Sequence, residues 1–302
     1  MHSLLVPLDG SEFSERAVPL ALTLGRETGA TLHLTHVHVP HPPDQLLSNT
    51  QFHYEGLDMA EYEARNRQKE AAYLEGVATR LRNGVRVKTH LLEGRVADEI
   101  TAYADRVDAD LIVMTTHGHT GVSRMWLGSV ADTLVRHTTL PLLVIHPPPH
   151  EHLPPEVHNF AHILVPLDGS ETSESILDPA CDLAVATSAR LTLLHIVSST
   201  TTLGARLFPL LPDDIASSME QAEEYLKGVA DRLHMPHLDV DIHVEEHEAP
   251  ARAIVEIAQR ERADIVAMAT HGYGGVRRVL LGSVADKVLR SSPLPLLVRR
   301  PA

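Results

Sequence analysis

Two stretches of this sequence have the residue types and spacing to hold a phosphate. One runs Thr115-Thr-His117-Gly118, nine residues, then Gly128-Ser129-Val130. The other runs Ala269-Thr-His271-Gly272, nine residues, then Gly282-Ser283-Val284. Phosphate oxygens need backbone N–H groups at close range, and a Cβ blocks that approach, so glycine suits such a loop. Gly128-Ser129 opens a helical pattern, whose free N–H groups and dipole favour an anion. Ser129 adds a hydroxyl donor, or serves only as an N-cap. A second kind of loop carries Asp9-Gly10-Ser11 and, later, Asp168-Gly169-Ser170. A carboxylate only accepts, which suits ribose hydroxyls or the adenine amino group rather than phosphates. Asp9-x-x-Glu12 also fits a capping box, and the two roles can coexist. His117 and His271 are read as ordering the loop rather than doing chemistry. Arg124 and Arg278 hold equivalent loop positions and either screen phosphate charge or are solvated.

The elements that must position these loops come twice. Leu4–Glu12 recurs as Ile163–Glu171 with eight of nine positions identical, Tyr73–Ala78 recurs as Tyr225–Ala230, and Thr115–Asp132 recurs as Ala269–Asp286 with twelve of eighteen identical. A period of this size marks a duplicated domain. The offset is 159 residues at the first block, 152 at the second and 154 at the third, so most of the length difference lies between the second strand and the second long helix. Residues 1–146 and 160–302 are read as the two domains, joined by a proline-rich linker over 147–159. In copy one, strands are expected at Leu4–Leu8, Thr31–Val39, Val85–Leu92, Asp110–Met114 and Leu142–Ile145. Helices are expected at Ser11–Glu27, Met59–Leu81, Val96–Arg106 and Gly128–His137. Copy two repeats the strands near Ile163–Leu167, Arg190–Val197, Leu238–Glu245, Asp264–Met268 and Leu296–Val298. Alternating strands and helices imply an α/β fold: a parallel sheet with helices on both faces. In such a sheet ligands sit beyond the carboxyl ends of the strands, where the Asp9 and Gly128 loops should meet.

Composition narrows the functional classes. The chain has 302 residues and a net charge of −14, which argues against general nucleic-acid binding. No run of 18 apolar residues exists, and the first strand starts at Leu4, which leaves no room for a signal peptide. Cys181 is the single cysteine, so a disulfide framework is excluded and a reducing cytoplasm favoured. The 21 histidines include His33, His36, His38 and His41 and the run His146-Pro-Pro-Pro-His150-Glu-His152. Metal binding is one reading; solvated linker histidines and alternating strand histidines are the other, and no helical His-x-x-x-His or Cys-x-x-Cys pair supports the metal.

At these loops the sequence strongly resembles the universal stress protein family, in its tandem form with two domains in one chain. The Val-Pro-Leu-Asp-Gly-Ser block, the Thr-His-Gly…Leu-Gly-Ser-Val-Ala block and the closing Pro-Leu-Leu-Val strand carry the resemblance. It implies two Rossmann-like domains, each a five-stranded parallel sheet in order 3-2-1-4-5. It also implies an intramolecular pseudo-dimer whose last strands pair antiparallel. Nucleotide-binding members carry Gly-x-x-Gly, nine residues, then Gly-Ser or Gly-Thr. The resemblance therefore implies ATP, with Mg²⁺ as its companion ion. In copy one the site would comprise Pro7, Leu8, Asp9, Val37, Thr115, His117, Gly118, Gly128, Ser129 and Val130. In copy two it would comprise Pro166, Leu167, Asp168, Ile196, Ala269, His271, Gly272, Gly282, Ser283 and Val284. Adenine would lie against Val37 or Ile196. The family's first glycine is replaced by Thr115 and by Ala269. A β-branched residue stiffens the backbone and alanine is milder, so copy two should hold nucleotide more tightly.

The leading expectation is an ATP-binding stress-response sensor or regulator in the cytoplasm, without membrane or nucleic-acid contacts and with exposed faces that leave room for a homodimer. A non-nucleotide interaction module is the alternative, with the apolar stretch Leu203–Leu211 either docking a partner or packing as a flap on its own domain. A true enzyme is disfavoured: the chain has no G-x-x-x-x-G-K-[ST], no lysine in the phosphate loops, and Tyr273 where His119 stands in copy one. Slow ATP hydrolysis beside Ser129 is the most that chemistry would allow.

Overall fold

The computed structural model describes residues 1–40, 59–82, 84–116, 127–146, 160–203, 206–209, 211–233, 235–271 and 281–301. Copy one contains β1 (Ser3–Pro7), α1 (Glu12–Glu15), α2 (Ala17–Thr28), β2 (Thr31–His38), α3 (Met59–Leu81), β3 (Arg86–Glu93), α4 (Val96–Arg106), β4 (Leu111–Thr115), α5 (Ser129–His137) and β5 (Leu142–Ile145). Copy two contains β6 (His162–Pro166), α6 (Glu171–Glu174), α7 (Leu177–Thr187), β7 (Arg190–Val197), β8 (Thr200–Leu203), β9 (Arg206–Pro209), α8 (Pro212–Arg232), β10 (Val240–Glu246), α9 (Pro250–Arg260), β11 (Ile265–Ala269), α10 (Ser283–Ser291) and β12 (Leu296–Arg299).

The strands form one ten-stranded sheet in the order β10-β7-β6-β11-β12-β5-β4-β1-β2-β3. Each half thus has the order 3-2-1-4-5, with parallel neighbours throughout. The halves join where β12 runs antiparallel to β5, with Leu297 opposite Leu143. Strands covered on both faces need apolar residues at every position, which is why Leu4, Leu5 and Val6, and again Ile163, Leu164 and Val165, are wholly buried. Two apolar clusters form, and each draws residues from both copies. Helices α5 and α10 also meet electrostatically across the junction. Arg136 is held charged first by its own Asp132 and then by Asp286, and Arg290 first by Asp286 and then by Asp132. The Arg300 guanidinium donates to the His137 carbonyl across the same boundary.

Three local differences from the sequence expectation have physical causes. The expected helix Ser11–Glu27 is two helices, broken at Arg16. Pro19 has no N–H to give the Glu15 carbonyl, so the ladder cannot run through. Copy two repeats the break at Ser175 and Ile176, four and three residues before Pro179. Several strands also end one residue away from the expected place: β1 ends at Pro7 and β3 ends at Glu93. Finally, the stretch expected as an apolar loop after β7 contains a separate antiparallel hairpin, β8–β9, outside the main sheet. Leu211, just beyond it, is 69% exposed.

Candidate functional site

The loop after β1 is built by its own side chains. Gly10 has φ +84° and Gly169 has φ +85°, the left-handed region that glycine enters without strain. That turn lets Asp9 Oδ1 accept from the Ser11 amide at 2.9 Å and the Ser11 hydroxyl at 2.6 Å. Asp168 does the same with Ser170, at 3.1 and 2.5 Å. The capping-box expectation for Asp9 is corrected here. Ser11 is the N-cap of α1, accepting from the Ser14 amide at 3.1 Å, and Ser170 caps α6 through Ser173 in the same way. Asp9 sits two residues too early to cap and orients the capping serine instead. Both aspartates are exposed at the carboxyl end of the sheet. Leu8 and Leu167, just before them, are buried, and their amides donate to the β2 and β7 carbonyls of Thr35 and Leu194 at 2.8 Å.

The second loop starts and ends on one stitch. The Gly128 amide donates to the Thr116 carbonyl at 2.7 Å, and the Gly282 amide to the Thr270 carbonyl at 2.8 Å. Gly128 and Gly282 are the N-caps of α5 and α10 and carry no capping side chain. The reading of Ser129 as N-cap is therefore corrected: Ser129 and Ser283 are the first helical residues, and both are exposed. The caps' own N–H groups are spent on the stitch. The donors without intrahelical acceptors are the amides of 129–131 and 283–285. Thr115 and Ala269 are the last residues of β4 and β11, and each is 6% exposed, so burial does not separate them. His271 Nδ1 lies 2.9 Å from the Thr270 hydroxyl, which orders the ring at the loop's start. His117, Gly118, Arg124, Gly272 and Arg278 lie outside the described residues.

The third part is the end of the second strand and the long helix facing it. His36 meets Tyr73 edge-on at 6.3 Å and 73°, and His195 meets Tyr225 at 6.1 Å and 72°. Beyond this shared contact the copies part. In copy one, Glu70 Oε2 lies 2.8 Å from His38 Nδ1. Glu63 Oε2 lies 2.7 Å from His38 Nε2. His38 is 1% exposed. In copy two the same region is an open cavity of about 460 Å³, reaching from Gly169 and Ile196 to Ser218 and Gln221 of α8. Burial pushes His195 down from its ordinary pKa, opposed by Asp168, and pushes Tyr225 up, helped by a hydrogen bond to Glu174. Val37 and Ile196, the positions expected to face adenine, are both half-buried.

Family comparison agrees with this architecture. The model of the universal stress protein family matches residues 1–146 and again 159–300. The chain belongs to the universal stress protein family. A universal stress protein of Mycobacterium tuberculosis is 31% identical over 214 residues, 70% of this chain and 64% of that relative. The match thus spans less than two thirds of that relative's length. One from Mycolicibacterium smegmatis is 27% identical over 99% of this chain and 97% of its own length. A crystal structure of a putative universal stress protein from Pseudomonas aeruginosa aligns with TM-score 0.66 at 17% identity, covering 100% of this chain and 94% of its own. One from Archaeoglobus fulgidus aligns with TM-score 0.64 at 19% identity, covering 99% and 96%.

Against the family frame, the sequence reading missed Glu63, Glu70, Ser218, Gln221 and the two tyrosines. The signal was available: aligning the copies puts Glu70 opposite Ala222 and His38 opposite Val197. Among the described residues, no three His, Cys, Asp or Glu side chains are placed to hold a metal ion. Nor is any described helix long and apolar enough to cross a membrane.

Proposed function

We propose that this universal stress protein binds an adenine nucleotide, ATP with Mg²⁺, at the carboxyl end of its sheet and acts as a stress-response sensor or regulator rather than an enzyme. The observation that carries the proposal is the stitched loop. In both copies a glycine cap fixed to the strand end presents an exposed serine and three amides without intrahelical acceptors, with an ordered aspartate turn on the neighbouring strand. Amides 129–131 and 283–285 would take phosphate oxygens, Asp9 and Asp168 the ribose hydroxyls, and Val37 and Ile196 one face of the base. The chain works as two domains, 1–146 and 160–302, paired in solution through β5 and β12 as an intramolecular pseudo-dimer in the cytoplasm. Calorimetric titration of the full chain with Mg·ATP tests the proposal. Micromolar binding that Gly282→Val weakens supports it; absence of heat and of any thermal shift overturns it.

A second reading is favoured by one feature. Leu211, at 69% exposure beside the β8–β9 hairpin, is an apolar side chain offered to solvent. A second copy of the chain could cover it, giving a homodimer of pseudo-dimers. Sedimentation of the wild type against Leu211→Ser tests this, with loss of the larger species expected.

A further inference from the structure

The edge-on contacts His36–Tyr73 and His195–Tyr225 fix the correspondence between the copies. Three residues earlier on the helix, Glu70 corresponds to Ala222; two residues later on the strand, His38 corresponds to Val197. Glu70 and His38 close on each other at 2.8 Å, and Glu63 adds a second carboxylate to the same ring. Ala222 and Val197 cannot do this, and the space stays open as the cavity of about 460 Å³.

The cavity's walls define what it takes. Its described lining carries no carboxylate, ammonium or guanidinium. It offers the Tyr225 and His195 rings, the Gln221 amide and the Ser218 hydroxyl. Rings that stack and neutral groups that both donate and accept suit a flat neutral heterocycle. One end of the cavity is Gly169, next to the aspartate turn, so a base held here is continuous with a ribose at Asp168. In copy one the same entry would require separating a buried histidine from its carboxylates, which leaves buried polar atoms without their partners.

We infer that the helix position held by Ala222 in copy two and Glu70 in copy one decides which copy admits a purine base, so that the chain takes one adenine nucleotide, in copy two, with Gln221 and Ser218 reading the base. This rests on the nucleotide reading above and adds its stoichiometry and its specificity-determining residues.

The test is calorimetric titration of the full chain with Mg·ATP and, separately, with adenosine, which has the base and ribose but no phosphates. The wild type should bind one equivalent. The exchange V197H/A222E, which gives copy two the residues of copy one, should weaken both ligands at least about tenfold. A222L, which fills the cavity without charge, should do the same, so that a folding defect in the charged variant does not decide the matter. The exchange H38V/E70A should add a second equivalent. Two equal sites in the wild type, or unchanged affinity in both V197H/A222E and A222L, overturns the inference while leaving nucleotide binding in place. A wild type that binds neither ligand overturns the nucleotide reading itself.

Discussion

In copy one the end of the second strand is closed by side-chain contact, with His38 held between Glu63 and Glu70; in copy two the same backbone leaves a cavity between Val197 and Ala222. The strand order, the glycine-capped helix, the aspartate turn and the histidine–tyrosine contact are the same in both. At the site, what differs lies on the rim, at residues of neither apolar cluster; within the clusters the copies differ too, with Tyr103 matched by Ile257 and Val113 by Ala267. Core positions are held by packing on two faces of the sheet, so volume changes there are penalised in either copy. Rim positions answer only to a ligand or to one another. A duplicated fold can therefore stay fixed while one of its sites closes.

The comparison can be broken first at the feature both copies share. Leu143 and Leu297 face each other across the junction and are buried. Leu143→Ala and Leu297→Ala should each cost about 2–5 kcal/mol, by equal amounts, and the double variant should cost less than the sum because they share one contact. Denaturant unfolding measures this; a large inequality would show that one copy dominates the shared core. The next test sharpens the difference. Gly282→Val should weaken ATP binding at least about a hundredfold, about 2.7 kcal/mol, whereas Gly128→Val should change it little. Equal losses in the two titrations would make the sites equivalent.

Acid sensitivity offers a third contrast. Burial, with Lys88 and His90 adding to it, pushes His33 in copy one down to about 4. A histidine whose folded pKa lies below its unfolded value binds fewer protons folded than unfolded. Its contribution is complete above about pH 6.5 and is lost as pH falls toward 4. Within that window the slope from one such proton approaches about 1.4 kcal/mol per pH unit. Copy two has Thr192 at this position, so His33→Thr should flatten the acid limb of a stability–pH curve by up to one proton. An unchanged slope would place the acid response on His90, His162 or His195, which burial also lowers. The smallest effect tests the symmetry again. Ser11→Ala and Ser170→Ala remove equivalent caps and should each cost about 1 kcal/mol, visible as similar shifts in thermal melting.

Most of the fold was legible because duplication repeats each signal. The run Leu4–Leu8, the helix Met59–Leu81 and the closing strand Leu142–Ile145 could each be checked against a second copy, and the helix and closing strand agree with the structure to the residue. The break at Arg16 was legible in principle, since Pro19 stands in the sequence, but a proline in a first turn often leaves a helix whole. The site was legible where its parts are local. Asp9 with Ser11, and Gly128 with Ser129, need only two or three residues to define a turn or a cap, and even there the capping role fell on Ser11 rather than Asp9. The contact of His38 with Glu70 was hidden because it joins β2 to α3. Which face His38 shares with Glu70 depends on how the helix is rotated on the sheet, and no spacing in the sequence states that.

The junction between β5 and β12 has a further consequence for supply. Were the two domains separate chains, their pairing would depend on how much of each the cell held. Thirteen residues, 147–159, join them instead. A short tether holds its ends at an effective concentration of roughly millimolar, whatever the abundance of the protein. On the proposed pairing, copy one and copy two are delivered one to one in a single chain. Dilution cannot part them.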